Sequence, residues 1–129
     1  MNNRFFRTFA FGTRLQFLVK TICTNDSVCS IQNIIADMVK LDGIIFDRFY
    51  YEQDNIGEIL ETEKYVFVIN SWKEKNIILL DIYCDGNITK HFIYDLENKL
   101  KSVFKDDNIL RYTTKQFLNN WGNYDWKRN

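Results

Sequence analysis

Five carboxylates crowd the middle of the chain, and they are the densest group of residues that could do chemistry. They are Glu52, Asp54, Glu58, Glu61 and Glu63. Aromatic residues flank them in the sequence, among them Phe49, Tyr50, Tyr51 and Tyr65. Two interpretations are open: a solvated acidic loop, or a pocket whose carboxylates and ring faces hold a cation or a planar base.

Polar residues also occur inside two apolar stretches. Asp81 interrupts one stretch and Asn70 ends another. Each is either an inward polar group with a partner or a residue on a solvated sheet face. Cys84 is either a small core residue or a reactive thiol.

Most familiar catalytic and cofactor templates are absent from the sequence. It contains no Walker loop, GxGxxG or HExxH, and its one histidine, His91, supports no confident Ser-His-Asp set. The three cysteines, Cys23, Cys29 and Cys84, lack the spacing of metal ligands. We therefore expect neither a metal nor a cofactor. The 17 basic residues balance the 17 acidic ones without blocks of like charge, so we expect no nucleic-acid partner.

Several features favour a cytoplasmic protein of one domain. No apolar run reaches the roughly 18 residues of a membrane helix, and the first residues lack the pattern of a signal peptide. An odd number of cysteines argues against a disulfide framework. The chain has no proline and five isolated glycines, so no linker divides residues 1–129.

Hydrophobic periodicity predicts the secondary structure. We expect strands over residues 13–22, 44–51, 64–71, 76–84 and 109–112. Helices are expected over residues 31–41, with Ser27 or Ser30 as N-cap, and over residues 92–104, with Thr89 as N-cap. Residues 53–57 have the composition of a loop.

The predicted order β-α-β-β-β-α-β is typical of a two-layer α/β (α+β) sandwich, in which two helices cover one face of a mainly antiparallel sheet. Residues 1–12 would form an N-terminal arm. Residues 114–129 carry five large apolar side chains, so this tail should pack on the domain or on a neighbouring subunit. The other sheet face also needs cover, which predicts a homodimer or homotrimer.

Two segments resemble the central hairpin of prokaryotic S-adenosylmethionine (SAM) decarboxylases. They are VFVINSWKE (66–74) and ILLDIYCDG (78–86), in which Trp72, Glu74, Asp81 and Gly86 match the family's motif. The resemblance implies a nucleoside or sulfonium ligand. The family forms a pyruvoyl group from a serine at a self-cleaved bond, and the matching residues here are Lys64 and Tyr65. We therefore expect this protein to have no pyruvoyl group.

The resemblance also assigns individual residues. Phe49 and Tyr51 correspond to the segment that stacks the adenine, and Asn70 takes the position of the family's proton-handling histidine. With Glu61 and Asp81, these residues are the predicted ligand-binding set.

Residues 61–64 (ETEK) look like the acidic segment that enters a strand in phage SAM lyases and in the SAM-AMP lyases of type III CRISPR defence. This similarity implies a small oligomeric lyase that releases methylthioadenosine, or its AMP conjugate, and homoserine lactone. Glu63 would orient the ligand, and Tyr65 or Tyr51 would lie beside the sulfonium. The alternatives are a catalytically inactive decarboxylase-like subunit that binds the nucleotide or regulates a partner, and an interaction protein that docks through its aromatic tail.

Overall fold

Alternating apolar and polar residues build one sheet. The structure, a computed structural model, describes residues 12–40, 46–52, 55–105 and 108–115. Its strands are β1 (Gly12–Lys20), β2 (Asp47–Glu52), β3 (Asn55–Glu61), β4 (Tyr65–Trp72), β5 (Ile77–Asp85) and β6 (Ile109–Lys115). Within the described residues they pair antiparallel in the order β2-β3-β4-β5-β1-β6.

One face of the sheet, here the helix face, packs against α1 (Asn25–Val39) and α2 (Lys90–Phe104). Alternate residues of the central strands point to this face, because side chains alternate along a strand. Those that are fully buried include Leu15, Phe17, Phe67, Ile69, Ile78, Leu80 and Ile82. They meet Ile31 and Ile35 of α1 and Leu96 and Leu100 of α2 in a single core.

Helix α1 begins earlier than predicted. Its N-cap is Thr24, whose side-chain oxygen accepts a hydrogen bond from the Ser27 amide at 3.1 Å. Ser27 Oγ in turn accepts from the Thr24 amide at 2.8 Å, which completes a capping box. The predicted caps, Ser27 and Ser30, therefore lie inside the helix. At the other end Lys40 adopts a left-handed conformation with φ 57° and ends the helix.

Helix α2 starts where the sequence predicts, with the Thr89 hydroxyl accepting from the Phe92 amide at 3.2 Å. The turn before it contains Gly86 at φ 83°, a conformation that glycine adopts without strain. Neither helix, nor any other within the described residues, is long and apolar enough to cross a membrane.

The opposite face of the sheet, here the open face, has no helix packed on it within the described residues. Its central positions include Arg14 on β1 and Asp81 and Tyr83 on β5. A small separate apolar cluster lies beside them and consists of Ile59, Val66, Val68 and Tyr83. The outermost side chains on β6 at this face, Leu110 and Tyr112, are exposed.

The predicted fold class is confirmed: two helices cover one face of an antiparallel sheet. The sequence-based order nevertheless missed one strand. Residues 53–57 were predicted as a loop, but β3 begins at Asn55 and pairs with β2 and β4. The predicted last strand extends to Lys115. Most of the predicted arm (1–11) and of the tail (116–129) lies outside the described residues.

Two residues of α2 test which face of the helix carries the stability. Leu100 is completely buried, whereas Val103 is 51% exposed. Leu100→Ala should lower the free energy of unfolding by about 2–5 kcal/mol, because it leaves a cavity. Val103→Ala should change it by less than about 0.5 kcal/mol. Urea unfolding followed by circular dichroism measures both, and equal effects would contradict the packing of α2.

Candidate functional site

A cluster of three side chains, the Arg14 cluster, lies near the middle of the open face. The Arg14 guanidinium donates from Nε to Asp81 Oδ1 at 3.0 Å and from Nη2 to Asp81 Oδ2 at 2.7 Å. The Tyr83 hydroxyl donates to the same Asp81 Oδ2 at 3.1 Å. The guanidinium carbon also lies 5.1 Å from the centre of the Tyr83 ring, within the range of a cation–π contact.

Strand register explains why these residues meet. Arg14 is directly opposite Tyr83, and Asp81 is two residues before Tyr83 on the same strand and face. A long arginine side chain reaches such a diagonal neighbour easily. Asp81 is therefore neither of the simple alternatives: its side chain is only 8% exposed, yet it lies on the face away from the helices and has a charged partner.

Electrostatics fix the protonation of the cluster. The bond to Asp81 is the main reason that the pKa of Arg14 is raised. Burial, followed by the charge of Asp81, raises the pKa of Tyr83 to about 12. Tyr83 is therefore protonated at neutral pH and acts as a hydrogen-bond donor, not as a general base.

The acidic segment forms neither a solvated loop nor an open cation pocket at Glu58. This residue lies on the helix face of β3 and is 4% exposed. Arg48 of β2 donates to Glu58 Oε2 from Nε at 3.3 Å and from Nη2 at 3.2 Å, and Gln32 of α1 donates to Oε1. Its charge is thus neutralised within the protein, and it ties β2 and β3 to α1.

The predicted catalytic residues lie at the β3–β4 turn. Glu63 is an exposed residue of this turn. Thr62 fixes the turn with two hydrogen bonds to Tyr65. The Thr62 amide donates to the Tyr65 carbonyl at 2.7 Å, and the Thr62 hydroxyl accepts from the Tyr65 amide at 3.0 Å. The Tyr65 ring faces the helices and stacks on Phe92, with 4.9 Å between ring centres. Burial raises the pKa of Tyr65.

The structure places three of the predicted ligand-binding residues on one face of the sheet and describes the other two only by their backbones. Glu61, Asn70 and Asp81 lie on the open face, because strand pairing puts each of them beside another residue of that face. The structure describes the backbones of Phe49 and Tyr51 in β2, but their side chains lie outside the described residues. Tyr65, on the helix face, is on the opposite side of the sheet from that group.

The cysteines behave as core or surface residues. All three are free thiols; Cys23 and Cys84 are buried and Cys29 is exposed. Burial is the main reason that the pKa values of Cys23 and Cys84 are raised, which favours the core interpretation of Cys84. Within the described residues no group of three or more His, Cys, Asp or Glu side chains could hold a metal ion.

A cavity of about 310 Å³ opens beside the first turn of α1, at the far end of the sheet from the β3–β4 turn. Its walls include Cys23, Thr24, Ile56, Ser71 and Lys73. None of the predicted site residues whose side chains the structure describes lines it. Two of its polar wall groups are engaged elsewhere: Ser71 Oγ accepts from the Ile56 amide at 3.0 Å, and Thr24 caps the helix.

Sequence reasoning missed Arg14 and Tyr83. Arg14 lies in the predicted strand over residues 13–22 and Tyr83 in that over residues 76–84, but neither was predicted as a site residue. A shared feature exists, since both occupy positions whose two neighbours along the strand are buried. What the sequence lacks is the register that brings residues 67 positions apart into contact.

These elements define an α+β protein in which two helices pack on one face of an antiparallel sheet. No family model and no curated protein matches the sequence. Among solved structures, the fold is similar to that of the adenosylmethionine decarboxylase from Aquifex aeolicus VF5, with a TM-score of 0.59 and 10% sequence identity. The similarity covers 84% of this chain and 92% of that one.

The raised pKa of Tyr83 predicts a measurable titration. An unfolded tyrosine titrates near pH 10, so the contribution of Tyr83 to stability should be present below about pH 10 and lost as the pH rises towards about 12. Tyrosinate absorbance should show late ionisation whose amplitude Tyr83→Phe reduces, while that of Tyr65, whose pKa is also raised, persists. Tyr94→Phe, at an exposed position, is the control. Tyr83 ionising together with the exposed tyrosines would contradict the buried contact with Asp81.

Proposed function

We propose that this protein binds SAM or a SAM-derived nucleotide such as SAM-AMP, and that it cleaves the ligand as a lyase without a pyruvoyl group. The observation that carries the proposal is the fold, which is similar over 84% of the chain to an adenosylmethionine decarboxylase. Lys64 and Tyr65, and no serine, stand at the start of β4.

The open face supports a ligand of this shape. Glu61, Val66, Tyr83 and Arg14 follow one another in a row across β3, β4, β5 and β1. Three strand spacings of about 4.8 Å separate the two ends of this row. That length accommodates a nucleoside that carries an amino-acid chain. An acidic residue at one end suits ribose hydroxyls, and the cation at the other suits a carboxylate.

The proposed reaction needs little catalytic machinery. The methionyl carboxylate attacks its own γ-carbon, a C–O bond forms, and the C–S bond breaks with its electron pair going to sulfur. The sulfonium becomes the neutral thioether methylthioadenosine, and the other product is homoserine lactone. No proton is transferred. The protein has to hold a folded conformer and keep water out, which is catalysis by orientation.

Glu63 has a defined role in this proposal. It orients the ligand through the ligand's hydroxyls or ammonium group, from an exposed position in the β3–β4 turn. Tyr65 makes no contact with a ligand on the open face, because its ring lies on the helix face and stacks on Phe92. The predicted place of Tyr65 beside the sulfonium is therefore not part of this proposal.

Product analysis tests the activity. Purified protein incubated with SAM, and separately with SAM-AMP, should release methylthioadenosine or its AMP conjugate together with homoserine lactone, detected by liquid chromatography and mass spectrometry. Glu63→Gln should abolish turnover with little loss of stability. Glu74→Gln, in the exposed turn at the other end of β4, is the matched control and should retain activity. Release of carbon dioxide would instead identify a decarboxylase.

A second function is supported by the same residues at the start of β4. A decarboxylase-like subunit that has lost catalysis would bind the nucleotide and sense it, or would regulate a partner. Calorimetry distinguishes this alternative from the first: ligand that binds but stays intact favours the sensor. Ligand that neither binds nor reacts contradicts both functions.

The proposed protein is cytoplasmic and homo-oligomeric, as a dimer or trimer with the ligand site between subunits. Its thiols are all unpaired, as expected in a reducing compartment. The open face supports self-association, because it carries two large exposed apolar residues on β6: Leu110 at 43% and Tyr112 at 56% exposure. The aromatic tail contributes cover in the same proposal.

Charge placed on the open face should prevent assembly. Tyr112→Glu should convert the oligomer to a monomer in sedimentation analysis, because a carboxylate would be desolvated between two sheets. Val103→Glu, at a similarly exposed position on α2, should leave the oligomer intact. A Tyr112→Glu protein that still assembles would place the interface elsewhere.

A further inference from the structure

We propose that Arg14 binds the α-carboxylate of the ligand's amino-acid end, and that Asp81 and Tyr83 are positioning residues that hold its guanidinium in place. This inference rests on the proposed function, since it assigns the part of a SAM-type ligand that the open face recognises. It adds a binding residue, Arg14, to the predicted set.

The hydrogen bonds of the Arg14 guanidinium to Asp81 use Nε and Nη2 but not Nη1. Nε and Nη2 of Arg14 donate to the two oxygens of Asp81. Among the described residues, none accepts a hydrogen bond from Nη1. The Arg14 side chain is 36% exposed while its partner carboxylate is 8% exposed. The buried acid therefore holds the inner edge of the group, and Nη1 is left for a ligand at the surface.

Preorganisation makes this arrangement suitable for a carboxylate. Arginine side chains lose considerable rotamer freedom when they bind a ligand, and the loss lowers affinity. Here the two bonds to Asp81 and the ring of Tyr83, 5.1 Å away, have already restricted the Arg14 side chain. A charge-assisted N–H···O bond from Nη1 to one carboxylate oxygen leaves the second oxygen unbound, and it is that oxygen which the proposed reaction uses as nucleophile.

The chain contains a close structural counterpart on its other face. Arg111 donates to Glu97 at 2.7 Å and lies 5.4 Å from the ring of Tyr94, an arginine, carboxylate and tyrosine like those of the Arg14 cluster. Glu97 belongs to a helix and also pairs with Lys101. Arg111 faces α2, not the open face, so it provides a control for effects of arginine loss in general.

The experiment compares two ligands that differ only in the carboxylate. Every protein in this comparison carries Glu63→Gln, so that SAM stays intact during the titration. Calorimetry measures the dissociation constants of SAM and decarboxylated SAM with Arg14 unchanged, here called the wild type, and with Arg14→Gln. The wild type should prefer SAM by about 10- to 100-fold, the value of a hydrogen bond to a charged group. Arg14→Gln should remove this preference and leave the affinity for decarboxylated SAM unchanged. Arg111→Gln should keep the preference.

Folding is controlled by two further variants. Arg14→Gln alone leaves the Asp81 carboxylate buried without its cation, so the double variant Arg14→Gln/Asp81→Asn restores a neutral pair. It should bind like Arg14→Gln. Arg14→Lys keeps the positive charge but not the planar guanidinium with its fixed donors, and it should recover only part of the preference for SAM.

The outcomes separate this inference from the proposed function. Wild-type binding of both ligands with the same preference in every Arg14 variant overturns the role of Arg14 and leaves the function standing. An equal loss of affinity for the two ligands also overturns it, since that result indicates a purely structural role. If the wild type binds neither ligand, the proposed function fails and the inference fails with it.

Discussion

The pairing of β5 with β4 and β1 is the constraint on which the rest of the structure depends. Because all three strands are antiparallel and in continuous register, alternate residues are forced to opposite faces along the whole ladder. The apolar set formed by Ile78, Leu80 and Ile82 then has to face the helices. Asp81 has to face the other way. A slip of one residue would bury Asp81 in the core and expose that apolar set.

Among the residues whose burial is described, two carboxylates of this sheet are removed from solvent, and each has an arginine on a neighbouring strand. Glu58 and Arg48 face α1 and connect the outer hairpin to the helix layer. Asp81 and Arg14 face away from the helices. Burial of a carboxylate is costly unless a cation and hydrogen bonds offset the desolvation. The first pair joins structural layers, whereas the second presents a restrained cation at a surface.

Local sequence patterns predicted most strands and both helices, but they did not predict the side-chain contacts that depend on strand register. Strands β4 and β5 were predicted correctly because their apolar runs are rich in β-branched residues and a short turn separates them. Strand β3 was missed because Gly57 and the buried Glu58 break its alternation. In the candidate site, Asp81 was predicted from its apolar neighbours. Its partner Arg14 was not, because the contact depends on strand pairing between distant parts of the chain.

Strand order also determines when the sheet can be completed. Strand β1 lies between β5 and β6, so Thr13 pairs with Cys84 on one side and with Lys115 on the other. On a ribosome, β1 emerges before the other described strands and stays without either neighbour until β5 has been made. Such distant contacts slow folding. Until β5 follows, both edges of β1 lack a partner strand, and an unpaired apolar strand is open to association with other chains.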